Sequence, residues 1–123
     1  MRYIKKFESG NNEANIGQYV KISKNKWKGK SEYKEFDAYV EFLNNNIGQI
    51  VAKTDNYGLM VYLVKYNDMP RDIDNWCETH GCRDNLFKIP QLKTIRITKY
   101  DNFAIGDIED EVEINYNGQL YNL

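Results

Sequence analysis

Cys77, His80 and Cys82 are the residues in this chain whose types and spacing come nearest to doing chemistry. Zinc takes thiolate and imidazole ligands, usually four in a tetrahedral shell. The Cys-x2-His-x-Cys cluster supplies three, and Asp84 is the nearest candidate for a fourth. The spacing matches no common zinc finger, and the sequence has no second Cys or His pair. The plainer reading is that both cysteines pack as small hydrophobes and that His80 sits near a helix end, where the dipole favours it. Two further options use the same residues. His80 could activate the Cys77 thiol as a nucleophile, since an imidazole can take a thiol proton, but no orienting group or oxyanion donor accompanies the pair. A Cys77–Cys82 disulfide is geometrically conceivable, and a reducing cytosol opposes it. No metal and no cofactor is therefore expected.

Carboxylates form two groups, Asp68, Asp72 and Asp74, and Asp107, Glu109, Asp110, Glu111 and Glu113. Paired carboxylates do acid–base work when their surroundings separate their pKa values. The first group flanks a predicted helix start, where acids are favoured structurally. The second reads as a solvated loop and strand edge; its spacing lacks the Asp-x-Asp-x-Asp-Gly run of a calcium loop. The sequence contains no phosphate-binding glycine loop, dinucleotide fingerprint, nucleophile elbow or His-Glu-x-x-His zinc motif. An enzyme is not expected.

The remaining candidates are surfaces. Lys24, Lys26, Lys28 and Lys30 surround Trp27, a pattern in which lysines track phosphates while an aromatic ring stacks on a base. The alternative is a solvated loop whose lysines protect strand edges. Tyrosines are abundant, ten against five Phe and two Trp, and Tyr19, Tyr57, Tyr62 and Tyr66 are the candidates for an aromatic contact patch on a protein partner. The net charge of −1 gives no global pull toward nucleic acid, yet residues 1–65 carry 11 basic and 7 acidic side chains and residues 66–123 carry 6 and 11. Such asymmetry could present one sign of charge to a partner.

These residues must be held by one domain, because 123 residues are too few for two ordinary ones. With 41% hydrophobic and 28% charged residues the composition is that of a globular chain. No apolar run reaches the length of a membrane span, and the basic start Met1-Arg2-Tyr3-Ile4-Lys5-Lys6-Phe7 lacks the apolar core of a secretory signal. Residues 16–22 alternate as a strand, with Val20 and Ile22 on one side and Tyr19 and Lys21 on the other. Ser31 is a predicted N-cap, and Tyr33, Phe36, Val40 and Leu43 mark an amphipathic helix over 32–45, closed by Asn44-Asn45-Asn46 through the left-handed tolerance of Asn. Residues 47–66 read as a hairpin around Asp55-Asn56-Tyr57-Gly58, its second strand covered on both faces. Pro70 opens a short helix with Ile73, Trp76 and Cys77 inside and Gly81 at its close. Two more strands are expected at 83–89 and 93–100, and a hairpin with Asn117-Gly118 at its tip spans 112–123. The expected core comprises these inward residues with Ile50, Val51, Val61, Leu63, Val64, Leu86, Phe87, Ile95, Ile97, Val112 and Ile114.

The segments Gly17-x-Tyr19-Val20-x-Ile22, Asn46-Ile47-Gly48-Gln49-Ile50-Val51 and Tyr62-Leu63-Val64-Lys65-Tyr66 resemble the first strands of small SH3-like barrels, including KOW-type modules. The resemblance covers less than half the chain. It implies a partly open antiparallel barrel with a helix inserted in its first long loop. KOW-type modules often bind RNA or the transcription and translation machinery, but no residue set here carries that role over. The start of the chain and its Asn-Ile-Gly segment also look like small proteins of tailed phages, which implies a location in the host cytoplasm or the virion.

The resulting expectation is a mainly β fold bordering on α+β. It is a small SH3-like, partly open antiparallel barrel with one inserted helix, one short helix and a C-terminal hairpin. Residues 1–15 are an arm, 16–100 the barrel-like core and 101–123 an acidic segment plus the hairpin. An α+β sheet with one packed helix is the alternative. The expected function is a non-enzymatic interaction module binding a protein, either a virion component or a host factor. Single-stranded nucleic-acid or RNA binding through the lysine-rich segment 21–34 and inhibition of a host defence system are the alternatives. No membrane partner is expected, and the sequence leaves the oligomeric state open.

Overall fold

The computed structural model describes residues 14–24, 34–83 and 85–112. The chain runs through β1 (Tyr19–Ser23), α1 (Lys34–Asn45), β2 (Gly48–Asn56), β3 (Leu59–Lys65), α2 (Arg71–Thr79), β4 (Thr94–Thr98) and β5 (Asn102–Gly106). A helical turn follows at residues 109–112. All strand pairs are antiparallel, and the order across the single sheet is β4-β3-β2-β1-β5. The fold is therefore mainly β with short helices. The sheet is open among the described residues, with β4 and β5 as its edges.

The β2–β3 hairpin forms as expected. Tyr57 and Gly58 both have positive φ, 53° and 89°, the twist that a two-residue hairpin turn needs to match its strands. Asp55 locks the turn by accepting the Gly58 amide at 2.7 Å. The run Val61–Val64 is buried on both faces of the sheet. Ile50 pairs with Val64 and Ala52 with Leu63, so Val51 is the extra residue of a β-bulge. A bulge increases local twist and bends the strand.

Both helices pack on one face of the sheet, where the expected alternative had one. Val20, Ile22, Ile50, Tyr62, Val64, Ile95, Ile97 and Ile105 from the strands meet Tyr39, Val40, Leu43, Ile73 and Cys77 from the helices. Each buried aliphatic side chain contributes roughly 1.5–3 kcal/mol, so this layer dominates the fold. The opposite face holds a smaller cluster in which Phe87 covers Val61 and Leu63.

Several expectations change. Of the predicted strand 83–89, residues 83 and 85–89 are not a strand: they belong to the connection from α2 to β4. Phe87 is buried there, while Leu86 is exposed. The fifth strand is instead β5, paired along β1 from Tyr19↔Gly106 to Ser23↔Asn102. Lys21 is buried rather than on a wet face, and Tyr39, Met69 and Ile105 join the core. The C-terminal asparagines of α1 act through their side chains, not through a left-handed backbone. Asn46 Nδ2 donates to the Phe42 carbonyl at 2.8 Å, and Asn44 exchanges two 2.8 Å hydrogen bonds with the Lys24 backbone. The N-terminal arm up to residue 13, Ser31, Tyr33, Ile114 and the hairpin beyond Val112 lie outside the described residues.

Candidate functional site

The groups best placed for chemistry collect at the C-terminal end of α2. Helix ends leave their last carbonyls without partners, and here those of Asn75, Trp76 and Cys77 find specific donors. Gly81 takes a left-handed conformation, φ 71°, which glycine adopts without the steric penalty of a Cβ. The chain turns back and Cys82 N–H donates to the Cys77 carbonyl at 3.2 Å. This is the long bond of a Schellman motif, a geometry that usually lays the side chain after the glycine against the one five residues before it. In this chain those two side chains are Cys77 and Cys82. Cys77 is fully buried and Cys82 half-buried, and both are free thiols.

The thiols touch each other and are titrated apart by that contact. The hydrogen bond from Cys77 pulls the Cys82 thiol down to about 6, against the opposing effect of burial, with help from the Tyr39 hydroxyl, Lys24 and His80. The same bond, together with burial, pushes Cys77 far above the ordinary thiol range. Tyr39 is raised by burial and by the two sulfurs beside it. Tyr66 is raised by burial and by Cys77, and its hydroxyl is buried with no hydrogen-bond partner among the described residues.

His80 does not complete a metal site with the thiols. Its ring stacks on Trp76 at 4.4 Å and 14°, and its Nδ1 lies 2.9 Å from the Trp76 carbonyl. A carbonyl only accepts, so Nδ1 carries the proton. The Cys-x2-His-x-Cys spacing therefore does not converge, and among the described residues no three His, Cys, Asp or Glu side chains gather as a metal site. Asp84 lies outside those residues. Trp76 also contacts Tyr39 at 4.8 Å and Phe36 at 5.9 Å. The stacked Trp76 and His80 rings wall a groove of about 540 Å³ between the helices, edged by Lys34, Glu35 and Asp72.

Arg83 ties this helix end to the following loop. Its guanidinium bonds to Asp74 and Glu78, and its Nε donates to the Thr94 carbonyl at 3.1 Å. Asp74 also accepts the Lys93 amide at 2.8 Å, and the Cys82 carbonyl accepts the outward-facing Arg96 amide of β4 at 2.8 Å. The loop is held as a shape: Phe87 is buried, the Phe87 carbonyl accepts from Gln91 at 3.1 Å, and Thr94 Oγ1 donates to the Gln91 carbonyl at 2.6 Å. From this framework Ile89 and Leu92 project to solvent, 45% and 67% exposed. With Pro90, Asn85, Glu78 and Gly81 they line a second groove of about 430 Å³.

No family model, curated protein or solved structure matches the chain.

Most other sequence candidates fall elsewhere. Lys24 lies at the end of β1, 3.5 Å from Asp101; Lys26, Trp27, Lys28 and Lys30 lie outside the described residues. Of the four tyrosines, Tyr62 and Tyr66 are buried at 2% and 1% exposure and cannot present a contact patch. Tyr62 is internal because its hydroxyl is satisfied there, accepting the Ala14 amide at 3.0 Å. Tyr19 is half-buried, and Tyr57 stands fully exposed at the β2–β3 turn, alone. Asp72 and Asp74 occupy the first turn of α2, as expected for acids at a helix start. No helix among the described residues is long and apolar enough to cross a membrane.

Sequence reasoning missed the loop surface. The apolar pattern of Leu86 and Ile89 suggests a strand and that of Leu92 no element, although Pro90 between them argues against an internal strand.

Proposed function

We propose that this protein is a non-catalytic interaction module that binds a protein partner through the loop between α2 and β4. The observation that carries the reading is the pair Ile89 and Leu92, held in solvent by a loop whose backbone is fixed on both sides. Singly exposed apolar residues are normal on protein surfaces; here Ile89 and Leu92 line one groove together, which supports reading it as a contact site. Lys88 and Lys93 are exposed beside them. The complementary partner thus presents an apolar projection edged with carboxylates. A virion component or a host factor is the partner this proposal names. The SH3-like reading of the sheet belongs to the same proposal and is supported by the bulge at Val51, which bends β2.

The test begins with affinity capture using the wild type and the Ile89→Asp/Leu92→Asp double variant, followed by titration with the purified captured protein. Because neither side chain belongs to the buried core, the variant is expected to stay folded, which thermal unfolding checks first. Its affinity is expected to drop about tenfold or more, and Lys88→Glu/Lys93→Glu to slow association and reduce its salt dependence. Equal affinity of wild type and both variants for the purified partner refutes the proposal.

A further inference from the structure

The Schellman turn at the end of α2 does more than stop a helix. It brings one fully buried thiol, Cys77, into hydrogen-bonding contact with one half-buried thiol, Cys82, across a glycine turn. Of the two, Cys82 is the one open to solvent. That asymmetry is the arrangement of an attacking and a resolving thiol.

We propose that Cys77 and Cys82 form a dithiol site that exchanges with low-molecular-weight disulfides, with Cys82 as the nucleophile and Cys77 as the resolving thiol. The Cys82 thiolate attacks one sulfur of a disulfide RSSR, forming a mixed disulfide and expelling RS⁻. The Cys77 proton passes to that thiolate. The Cys77 sulfur then attacks Cys82 Sγ, closing the Cys77–Cys82 bond and expelling the second RS⁻. Two protein thiols are oxidised and one small disulfide is reduced to two thiols.

The surroundings favour the first step. Lys24 and the Tyr39 hydroxyl stabilise negative charge on Cys82. At pH 6 half of such a thiol is ionised, against about 0.3% of an ordinary thiol with a pKa of about 8.5. A more stable thiolate is also a weaker nucleophile, with a Brønsted slope of about 0.4–0.5, so the net advantage at pH 6 is roughly tenfold. Arg83, hydrogen-bonded to Asp74 and Glu78 immediately after Cys82, holds the turn while the bond forms.

The test uses the full chain and oxidised glutathione. Cleavage after Arg71 and Arg83 releases residues 72–83 as one peptide carrying both cysteines. In the wild type this peptide is expected to lose two hydrogens. In Cys77→Ser a stable glutathione adduct is expected on Cys82, and in Cys82→Ser the buried Cys77 is expected to stay unmodified. In the unaltered protein, alkylation at pH 6 should label Cys82 about tenfold faster than free glutathione. The wild-type measurements decide the matter even where a variant fails to fold. A wild-type peptide that keeps its hydrogens, an adduct on Cys77 first, or Cys82 alkylation no faster than glutathione each overturns the proposal.

Discussion

Replacing Arg83 by methionine should unfasten the end of α2 from the loop that follows. The Arg83 side chain is only 9% exposed and bonds to Asp74, itself 17% exposed, and to Glu78, which is 70% exposed. The two ion pairs therefore carry unequal weight. An exposed pair contributes about 0–1 kcal/mol because water screens it. Breaking a largely buried pair leaves one charge without compensation and costs about 3–5 kcal/mol. Asp74 retains the Lys93 amide as a donor, which places the expected loss at the lower end, about 3 kcal/mol. For a chain of this size that corresponds to a fall in Tm on the order of 10 °C. The assay is thermal and urea unfolding of Arg83→Met, Asp74→Asn, Glu78→Gln and the two double variants. The coupling energy between Arg83 and Asp74 should exceed that between Arg83 and Glu78 by about 2 kcal/mol. A loss below about 1 kcal/mol for Arg83→Met, or equal couplings to the two acids, would falsify the view that this residue is the clasp of the site.

Two further expectations follow from the buried polar groups. Tyr66→Phe keeps the ring against Phe42 and removes a hydroxyl that bonds nothing among the described residues. Stability should hold or rise by up to ~1 kcal/mol, whereas Tyr62→Phe, which loses the Ala14 amide, should cost ~1 kcal/mol; a urea titration in which Tyr66→Phe is the worse of the two contradicts this. The thiol pair also sets a pH dependence. In the unfolded chain both thiols titrate near ~8.5, while in the folded one Cys82 titrates near about 6 and Cys77 far higher. Below pH 6 neither state differs in bound protons; between about 6 and 8.5 the unfolded chain binds one more, so stability rises with pH; above ~8.5 the folded chain binds one more, so stability falls. The melting-temperature gap between wild type and Cys82→Ser should widen from pH 6 to 8.5, and a flat gap would remove the lowered thiol from the account.

The parts of the fold that were legible in the sequence are those fixed by local chemistry. Asp55 to Gly58 specify a two-residue turn, so the β2–β3 hairpin could be read before any pairing was known. The glycine at position 81 and the apolar positions 73, 76 and 77 likewise marked α2 and its end. The misreadings have a common cause in non-local contacts. β5 is five residues long, sits between Asp101 and Asp107, and gains its strand identity from β1, about eighty residues earlier. Residues 83–89 carry Leu86, Phe87 and Ile89, which look like a strand. Only Phe87 finds a buried place, because Arg83 commits the backbone to the helix end and Pro90 removes a ladder donor. Residue type alone suggests Tyr62 and Tyr66 as contact residues. Both point to the helix-covered face because they share the alternation of Val64, a register that the bulge at Val51 helps set. The candidate site shows the same division. The spacing of Cys77 and Cys82 is plain in the sequence, but a spacing of five reads as metal-binding, packing or disulfide until the turn between them is known.

What joins the thiols, the stacked imidazole and the exposed loop is the way α2 satisfies its last carbonyls. The Asn75 carbonyl takes the Thr79 hydroxyl at 3.0 Å, the Trp76 carbonyl takes both the amide and the ring of His80, and the Cys77 carbonyl takes the Cys82 amide. The last two choices dispose of groups that the spacing alone would have offered to a metal. His80 is drawn onto Trp76, and Cys82 is drawn onto Cys77. Arg83 then fixes the direction in which the chain leaves, so that Ile89 and Leu92 emerge beside the helix end and Phe87 reaches the far face of the sheet. A disulfide between Cys77 and Cys82 would close across the same turn from which that loop departs. Chemistry at the sulfurs and contact at the loop therefore act on one short stretch of backbone, residues 77–83, and a change in either must be felt there first.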